Sequence, residues 1–409
     1  MSRTSEDNDH DAQRDKKKEK NRRPGNTAFK QQRLKAWQPI LTPKTVLPLF
    51  FAVGIVFAPI GGLLLWASEQ VQELVIDYTL CADPGQSSST DFVRIPVNKV
   101  QKNFYKPTVE TKQDAQWKYT NTTSTVNGRP ITNTTCTLKF QLEADMKPPV
   151  LLYYRLTNFY QNHRRYVKSV NEDQLQGKDV PASSLDTSDS CSPLAVDSNG
   201  KIIYPCGLMA NSLFNDTIFS PILVQKRGGT SAQEETYNMT NKGIAWSTDK
   251  DRYGPTTYDP SKIVPPPNWI NKFPNGYTAE NLPVLREWEE FQVWMRTAGL
   301  PTFSKLARRN DTTTMPSGVY TLDILMNFPV VEYGGTKSIV LSTRTVMGGK
   351  NPFLGIAYVI VGGLCVLLGV IFTARHLFKP RKLGDHTYLS WENGPAIASA
   401  TGRDLHGSG

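Results

Sequence analysis

The sequence predicts a membrane protein: two transmembrane α-helices flanking a mainly β ectodomain, an antiparallel β-sandwich with long loops. Three observations predict it. Two runs, 46–68 and 352–374, contain no charged residue, and each exceeds the roughly 20 residues that carry a helix across a bilayer core of about 30 Å. Between them the chain breaks into short runs rich in Thr, Val and Tyr separated by turn-forming residues, the pattern of strands rather than of long helices. Positive charge is gathered in the tails: residues 1–45 hold 12 Lys and Arg against 6 Asp and Glu, and residues 375–409 hold 5 against 3.

In chain order, residues 1–27 are crowded with charge and poor in apolar side chains, so they are expected to be a disordered tail. Residues 28–45 read as an amphipathic juxtamembrane segment. Phe29, Arg33, Ala36, Trp37 and Ile40 fall near one helical face, with Trp37 expected at headgroup depth. The run 46–68 is longer than the roughly 7–15 apolar residues of a signal peptide, and no small-x-small cleavage site follows it. It reads as a signal-anchor. Within it Gly54, Ala58 and Gly62 recur every four residues, a ladder of small side chains that lets another helix approach closely, and Pro59 is expected to kink the helix. The run 352–374 offers Gly355 and Gly363 on one face and Gly362 and Gly369 on another, with Cys365 as a small packing residue. These are more small-residue faces than one contact consumes, so a partner helix is expected. Neither run carries the ionisable groups that mark ion or substrate paths. Positive flanks place both tails in the cytosol, and residues 69–351 in the lumen or outside the cell. The net charge of +10 therefore needs no nucleic acid to explain it.

The segment 69–351 supports that placement. It contains all five N-x-Ser/Thr sequons, at Asn121, Asn133, Asn215, Asn238 and Asn310, and N-linked glycans are expected there. It also contains Cys81, Cys136, Cys191 and Cys206, in a compartment where disulfides persist. Four cysteines allow three pairings and spacing does not choose strictly between them; the sequential order is favoured. A zinc site has neither the C-x-x-C nor the H-x-x-x-H spacing it would need. Residues 135–144, 149–157, 318–330 and 336–345 read as strands, 264–270 as an extended loop, and 285–299 as the best helix, ending at Gly299 before Pro301.

Chemistry has few candidates. The segment's one histidine, His163, lies in NFYQNHRRYVKS (158–169), without a G-x-S-x-G elbow elsewhere. Glu289 and Glu290 are adjacent on the expected helix, so they point apart rather than forming an acid–base pair. MGGK (347–350) lacks the earlier glycine of a phosphate-binding loop; Arg344 stands there. No autonomous catalytic centre, metal or cofactor is expected. An ecto-hydrolase using His163 and a stand-alone receptor or adhesion glycoprotein are the competing classes.

NFYQNHRRYVKS, PCGLMANSLFNDT (205–217), KGIAWSTDKD (242–251), EFQVWMRTAGLPTFSKLARR (290–309), NPFLGIAYVIVGG (351–363) and FKQQRLKAWQPI (29–40) together resemble one family. It is the ligand-effect modulator, or cell-division-control-50, family: accessory (beta) subunits of type-IV P-type ATPases, the phospholipid flippases. The likeness runs from Phe29 to Trp391 and looks fungal. It implies a heterodimer with the ATPase catalytic subunit, contact with membrane lipids, support for that subunit's exit from the endoplasmic reticulum and for its phosphorylation cycle, and phospholipid transfer towards the cytosolic leaflet. It also implies the disulfides Cys81–Cys136 and Cys191–Cys206; the further early cysteines of some relatives are missing here. Trp37, Gly54, Ala58, Gly62, Arg164, Arg165, Gly355 and Gly363 are the candidate contacts to the partner. The chain would reside in the secretory or endosomal system or the plasma membrane.

Overall fold

A computed structural model describes residues 26–35, 41–105, 107, 113–126, 129–185, 190–226, 234–345 and 348–380. Trp37 and both outer tails lie outside them. Helix α1, Pro43–Glu69, starts where its sequence has Thr-Pro: Thr42 stands ahead of it, its carbonyl accepts from Val46 N–H at 2.9 Å, and Pro43 occupies the position where a missing N–H costs nothing. The helix runs on through Pro59. Upstream, residues 27–33 form tight turns, with Gln32 at φ 53°, while Ala36, Trp37 and Ile40 of the expected helical face lie outside the described residues.

The strands follow as β1 Glu73–Asp77, β2 Val93–Arg94, β3 Val100–Asn103, β4 Gln116–Val126, β5 Arg129–Leu142 and β6 Val150–Leu156. After the short helix α2, Arg164–Lys168, come β7 Ile202–Ile203, β8 Thr217–Ile218, β9 Ile222–Lys226, β10 Glu235–Thr236 and β11 Ile263–Val264. Helix α3, Glu289–Met295, precedes β12 Phe303–Asn310, β13 Gly318–Met326, β14 Lys337–Thr343 and the final helix α4, Phe353–Phe378. Two antiparallel sheets result, one ordered β12-β6-β14-β1-β3 and the other β10-β9-β13-β5-β4-β2 with β8 added on β13. A small parallel pair, β7 with β11, stands apart.

Period-two alternation builds the core between them. Cys136, Leu138, Phe140 and Leu142 of β5, Tyr320, Leu322 and Ile324 of β13, and Leu74 and Ile76 of β1 are buried in one cluster. Burying each large apolar side chain there contributes about 1.5–3 kcal/mol. Strand β14 is buried at all seven positions, covered on both faces. The expected helix over 285–299 shrinks to the seven residues of α3. Gln292 Nε2 donates to the carbonyls of Leu285 (3.0 Å) and Arg286 (2.8 Å), which holds the preceding residues in a turn. At the other end Lys305 Nζ donates to the carbonyls of Val293, Trp294 and Arg296 at 2.5–3.0 Å, ending the helix with a side chain.

Residues 55–363 form one compact unit, and the outer halves of the two long helices another. Within the first, β1 follows α1 after a short turn and β14 ends shortly before α4, so Glu73 paired with Ser342 marks the helix-proximal end of the five-stranded sheet. Lys337 paired with Leu156 marks the far end, about 15–20 Å along the strands.

Candidate functional site

The stretch Asn158–Ser169 caps that far end, and it divides between inside and outside. Asn158 turns the chain at φ 55° and donates from Nδ2 to Tyr333 O at 2.8 Å. Phe159 then enters an aromatic cluster, edge-on to Tyr166 (6.0 Å), Trp294 (5.5 Å) and Phe303 (6.2 Å). Gln161, fully buried, accepts from Ala298 N–H at 2.9 Å and lies 3.4 Å from Tyr166 Oη. Tyr166 Oη also meets Ser212 Oγ at 2.9 Å, and burial pushes its pKa up to about 12. Ser169 Oγ donates to Ser192 O and accepts from Leu208 N–H, both at 2.9 Å, tying the stretch to the Cys191–Cys206 loop. Tyr160, His163, Arg164 and Arg165 are exposed. The two arginines make no ion pair, and the His163 side chain no hydrogen bond, among the described residues. The amides and aromatics thus lock the turn, leaving a basic, tyrosine-bearing outer face.

The motif KGIAWSTDKD is held by the helix motif that follows it. Glu289 Oε2 accepts from the N–H groups of Ile244 (2.8 Å) and Ala245 (3.1 Å), and Glu290 Oε1 accepts from Asn241 Nδ2. Arg296 forks onto Asp249 with bonds of 2.6 and 2.9 Å, its guanidinium 4.0 Å from the ring of Trp246. Both carboxylates of the Glu-Glu pair are therefore engaged in loop construction.

Beneath these lies a buried ion pair that the sequence reading missed. Asp216, the middle residue of the Asn215 sequon, receives Lys337 Nζ at 2.7 Å, with side-chain exposures of 0% and 3%. The same carboxylate accepts from Tyr78 Oη (2.8 Å) and the N–H groups of Asn327 (2.5 Å) and Phe328 (2.6 Å). Lys337 Nζ donates in addition to Phe328 O at 2.8 Å. Burial first, then the Asp216 charge, hold the Tyr78 phenol well above its usual pKa.

In the helix pair the small residues sort by face. A Cβ on Gly61 would lie 2.7–2.9 Å from Val359 and the Gly355 carbonyl; one on Gly355 would meet Leu65 at 2.8 Å, and one on Gly362 the backbone nitrogen of Ala58 at 2.9 Å. Phe57 and Tyr358 rings sit 4.9 Å apart on this seam. Ser68 Oγ accepts from Asn351 N–H at 3.1 Å, joining the ends of the helices. In the outer unit, Gly369 faces the Phe51 ring. The actual line on α4 is thus Gly355, Gly362 and Gly369, one per heptad, instead of the two faces expected. Of the α1 ladder, Gly54 is buried and Ala58 packs on Gly362, whereas Gly62, like Gly363 opposite, has open space where its Cβ would be. Gly61, beside Gly62 in the sequence, was the missed contact.

Disulfides join Cys81 to Cys136 and Cys191 to Cys206, with Cα separations of 5.9 and 5.4 Å. Cys365 is unpaired. Among the sequons, Asn121 and Asn238 are exposed, and Asn133, Asn215 and Asn310 are half-buried. Among the described residues no group of three or more His, Cys, Asp and Glu side chains is placed to hold a metal.

Two helices long and apolar enough to span a bilayer, mostly uncovered by the rest of the chain, on either side of a disulfide-linked β domain, define the class: a two-span membrane protein. The family model for the LEM3 (ligand-effect modulator 3) family / CDC50 family matches residues 64–382, and the chain belongs to that family. It is 45% identical over 375 residues to the phospholipid-transporting ATPase accessory subunit CRF1 of Saccharomyces cerevisiae, covering 92% of this chain and 90% of that one. It is 42% identical over 391 residues to the phospholipid-transporting ATPase accessory subunit CDC50 of Chaetomium thermophilum, covering 94% and 95%. To cell cycle control protein 50A of Bos taurus it is 42% identical over 366 residues, covering 86% and 88%.

Proposed function

We propose that this chain is the non-catalytic accessory subunit of a phospholipid-translocating P-type ATPase, with which it forms a heterodimer. The observation that carries this reading is near-full-length similarity, 45% over 92% of the chain, to a protein named as such a subunit. The ATPase supplies ATP hydrolysis and the lipid path; this chain supplies assembly, exit of the partner from the endoplasmic reticulum, and support for its transport cycle. Neither resident metal nor cofactor is needed for that role. Both tails are cytosolic and residues 69–351 exoplasmic and glycosylated, a placement supported by tail charge, sequon positions and the two disulfides.

Contacts with the partner are spread over several sites. Gly62 and Gly363, left open by the intramolecular seam, suit close approach of a partner helix or lipid, whereas Gly355 and Ala58 are used up within the chain. Arg164 and Arg165, with Tyr160 beside them, form a membrane-distal contact suited to carbonyls or carboxylates of the partner's long exoplasmic segments. Trp37 and its neighbours brace the cytosolic side. An accessory chain of this kind biases the pump only through contacts that differ between its states. Native purification of the tagged full chain with mass spectrometry tests the reading: an ATPase is expected at one-to-one stoichiometry, and recovery of the chain without one would overturn it.

A further inference from the structure

A cleft of about 480 Å³ opens between β12 at the edge of the five-stranded sheet and the β8–β13 side of the other, bounded by residues 268–272 and α3. Its size falls within the roughly 300–1,000 Å³ of small-molecule sites. Asn215 stands in its wall. The backbone there is fixed: Asp216 is locked in the buried ion pair, and Asn215 O accepts from Asn327 Nδ2 at 3.2 Å. Asn215 Oδ1 is sealed from solvent and has no hydrogen-bond partner, so the amide's accessible side is its nitrogen. Its Nδ2, the atom a glycan is attached to, makes no hydrogen bond among the described residues. Phe214, Trp288 and Leu325 give the cleft apolar surface, while Asn268 and Asn271, both exposed, make no side-chain hydrogen bond among the described residues. Apolar surface beside free amides suits a pyranose, with its C–H face and its ring of hydroxyl and acetamido groups.

We propose that this cleft is the seat of the first sugars of the glycan carried by Asn215, so that the ectodomain binds its own glycan as a structural ligand. Oligosaccharide transfer joins the sugar's anomeric carbon to Nδ2, with the amide proton and a lipid-linked diphosphate leaving. The tethered N-acetylglucosamine then lies against Phe214 and meets Asn268 and Asn271 across the cleft. Tethering gives the weak sugar contacts a high effective concentration. The exposed sequon asparagines Asn121 and Asn238 hold their glycans in solvent. The inference rests on the exoplasmic placement of residues 69–351.

The test is digestion of the folded, full-length glycoprotein in detergent with an amidase that cleaves the sugar–asparagine bond, read site by site by mass spectrometry. Release at Asn215 is expected to be at least about tenfold slower than at Asn238, the factor that ~1.4 kcal/mol of seating gives, and to become equal after denaturation. In the N268A/N271A variant, whose changes touch exposed side chains only, native release at Asn215 is expected to speed up towards the Asn238 rate. Equal native rates, protection at Asn133 in place of Asn215, or protection unaltered in the double variant would each overturn the proposal while leaving the topology standing. So would an Asn215 without sugar in a chain glycosylated at Asn121 and Asn238. Absence of sugar from all five sequons would instead overturn the exoplasmic placement, and the proposal with it.

Discussion

Replacing Asp216 with asparagine removes one charge and leaves the shape. The side-chain oxygen can still accept from the N–H groups of Asn327 and Phe328, now held at 2.5 and 2.6 Å, and the sequon survives as Asn-Asn-Thr. What is lost is the counter-charge 2.7 Å from Lys337 Nζ, whose side chain is 3% exposed. The ammonium would keep one carbonyl, Phe328 O at 2.8 Å, and the Tyr78 ring 5.4 Å away. Removing one partner of a buried pair costs about 3–5 kcal/mol, because the other is left uncompensated. At roughly 2–4 °C per kcal/mol for a domain of this size, the apparent midpoint should fall by at least ~6 °C. Tryptophan fluorescence of the purified full chain in detergent reads it directly, since Trp117 and Trp294 are buried in the domain. The double variant D216N/K337M removes the orphaned ammonium as well and should recover more than half of the loss. A single variant within about 1 kcal/mol of wild type, below the range for a broken buried pair, or a double variant no better than the single, would refute the reasoning.

Four further perturbations separate the other structural claims. Gly362→Val drives side-chain atoms into the Ala58 backbone and should cost about 1–3 kcal/mol; Gly363→Val, into open space, should leave the chain's own melting unchanged, and equal effects would reassign the seam. Burial pushes Lys305 down to about 7, below the unfolded lysine value of about 10.4. Between those two values the unfolded chain binds the extra proton, so stability should rise with pH by up to about 1.4 kcal/mol per unit; that slope should vanish in Lys305→Met, as followed by urea melts from pH 7.5 to 9.5. Reopening the 55-residue Cys81–Cys136 loop with Cys81→Ala/Cys136→Ala should cost about 4 kcal/mol on the chain-entropy view, seen as a lower urea midpoint. Arg164→Ala/Arg165→Ala should reduce co-purification of the ATPase with no change in melting temperature; unchanged recovery would confine this face to solvent.

Composition and spacing made the membrane spans legible, because a run of 23 uncharged residues has few other uses. Four strands were legible for a similar reason, their apolar density matching buried positions in β5, β6, β13 and β14. Strand β4 was not, since its Thr- and Asn-rich part, Thr120 to Thr123, is exposed at every position and resembles a loop in composition. Nor was β12, whose Arg308 is half-buried, with Nε donating to the carbonyl of Ile218 and Nη1 to that of Met239. The helix over 285–299 has the right periodicity but the wrong ends: Gln292, inside it, claims the carbonyls of Leu285 and Arg286, and Lys305, on the next strand, claims those of Val293, Trp294 and Arg296. Asp216–Lys337 was invisible because its members are 121 residues apart and each is ordinary in its own neighbourhood. The helix seam misled through its period: a four-residue ladder catches the eye, while the packed line advances by sevens along α4.

The central claim is that this chain enables a lipid pump it does not itself power. Transport of a labelled phospholipid from the exoplasmic to the cytosolic leaflet, measured in cells holding the partner ATPase with and without this chain, tests it most directly. Inward transport should disappear when the chain is removed and return when it is restored, and the purified chain alone in vesicles should move no lipid. Transport that persists undiminished without it, or lipid movement by the chain alone, would contradict the claim.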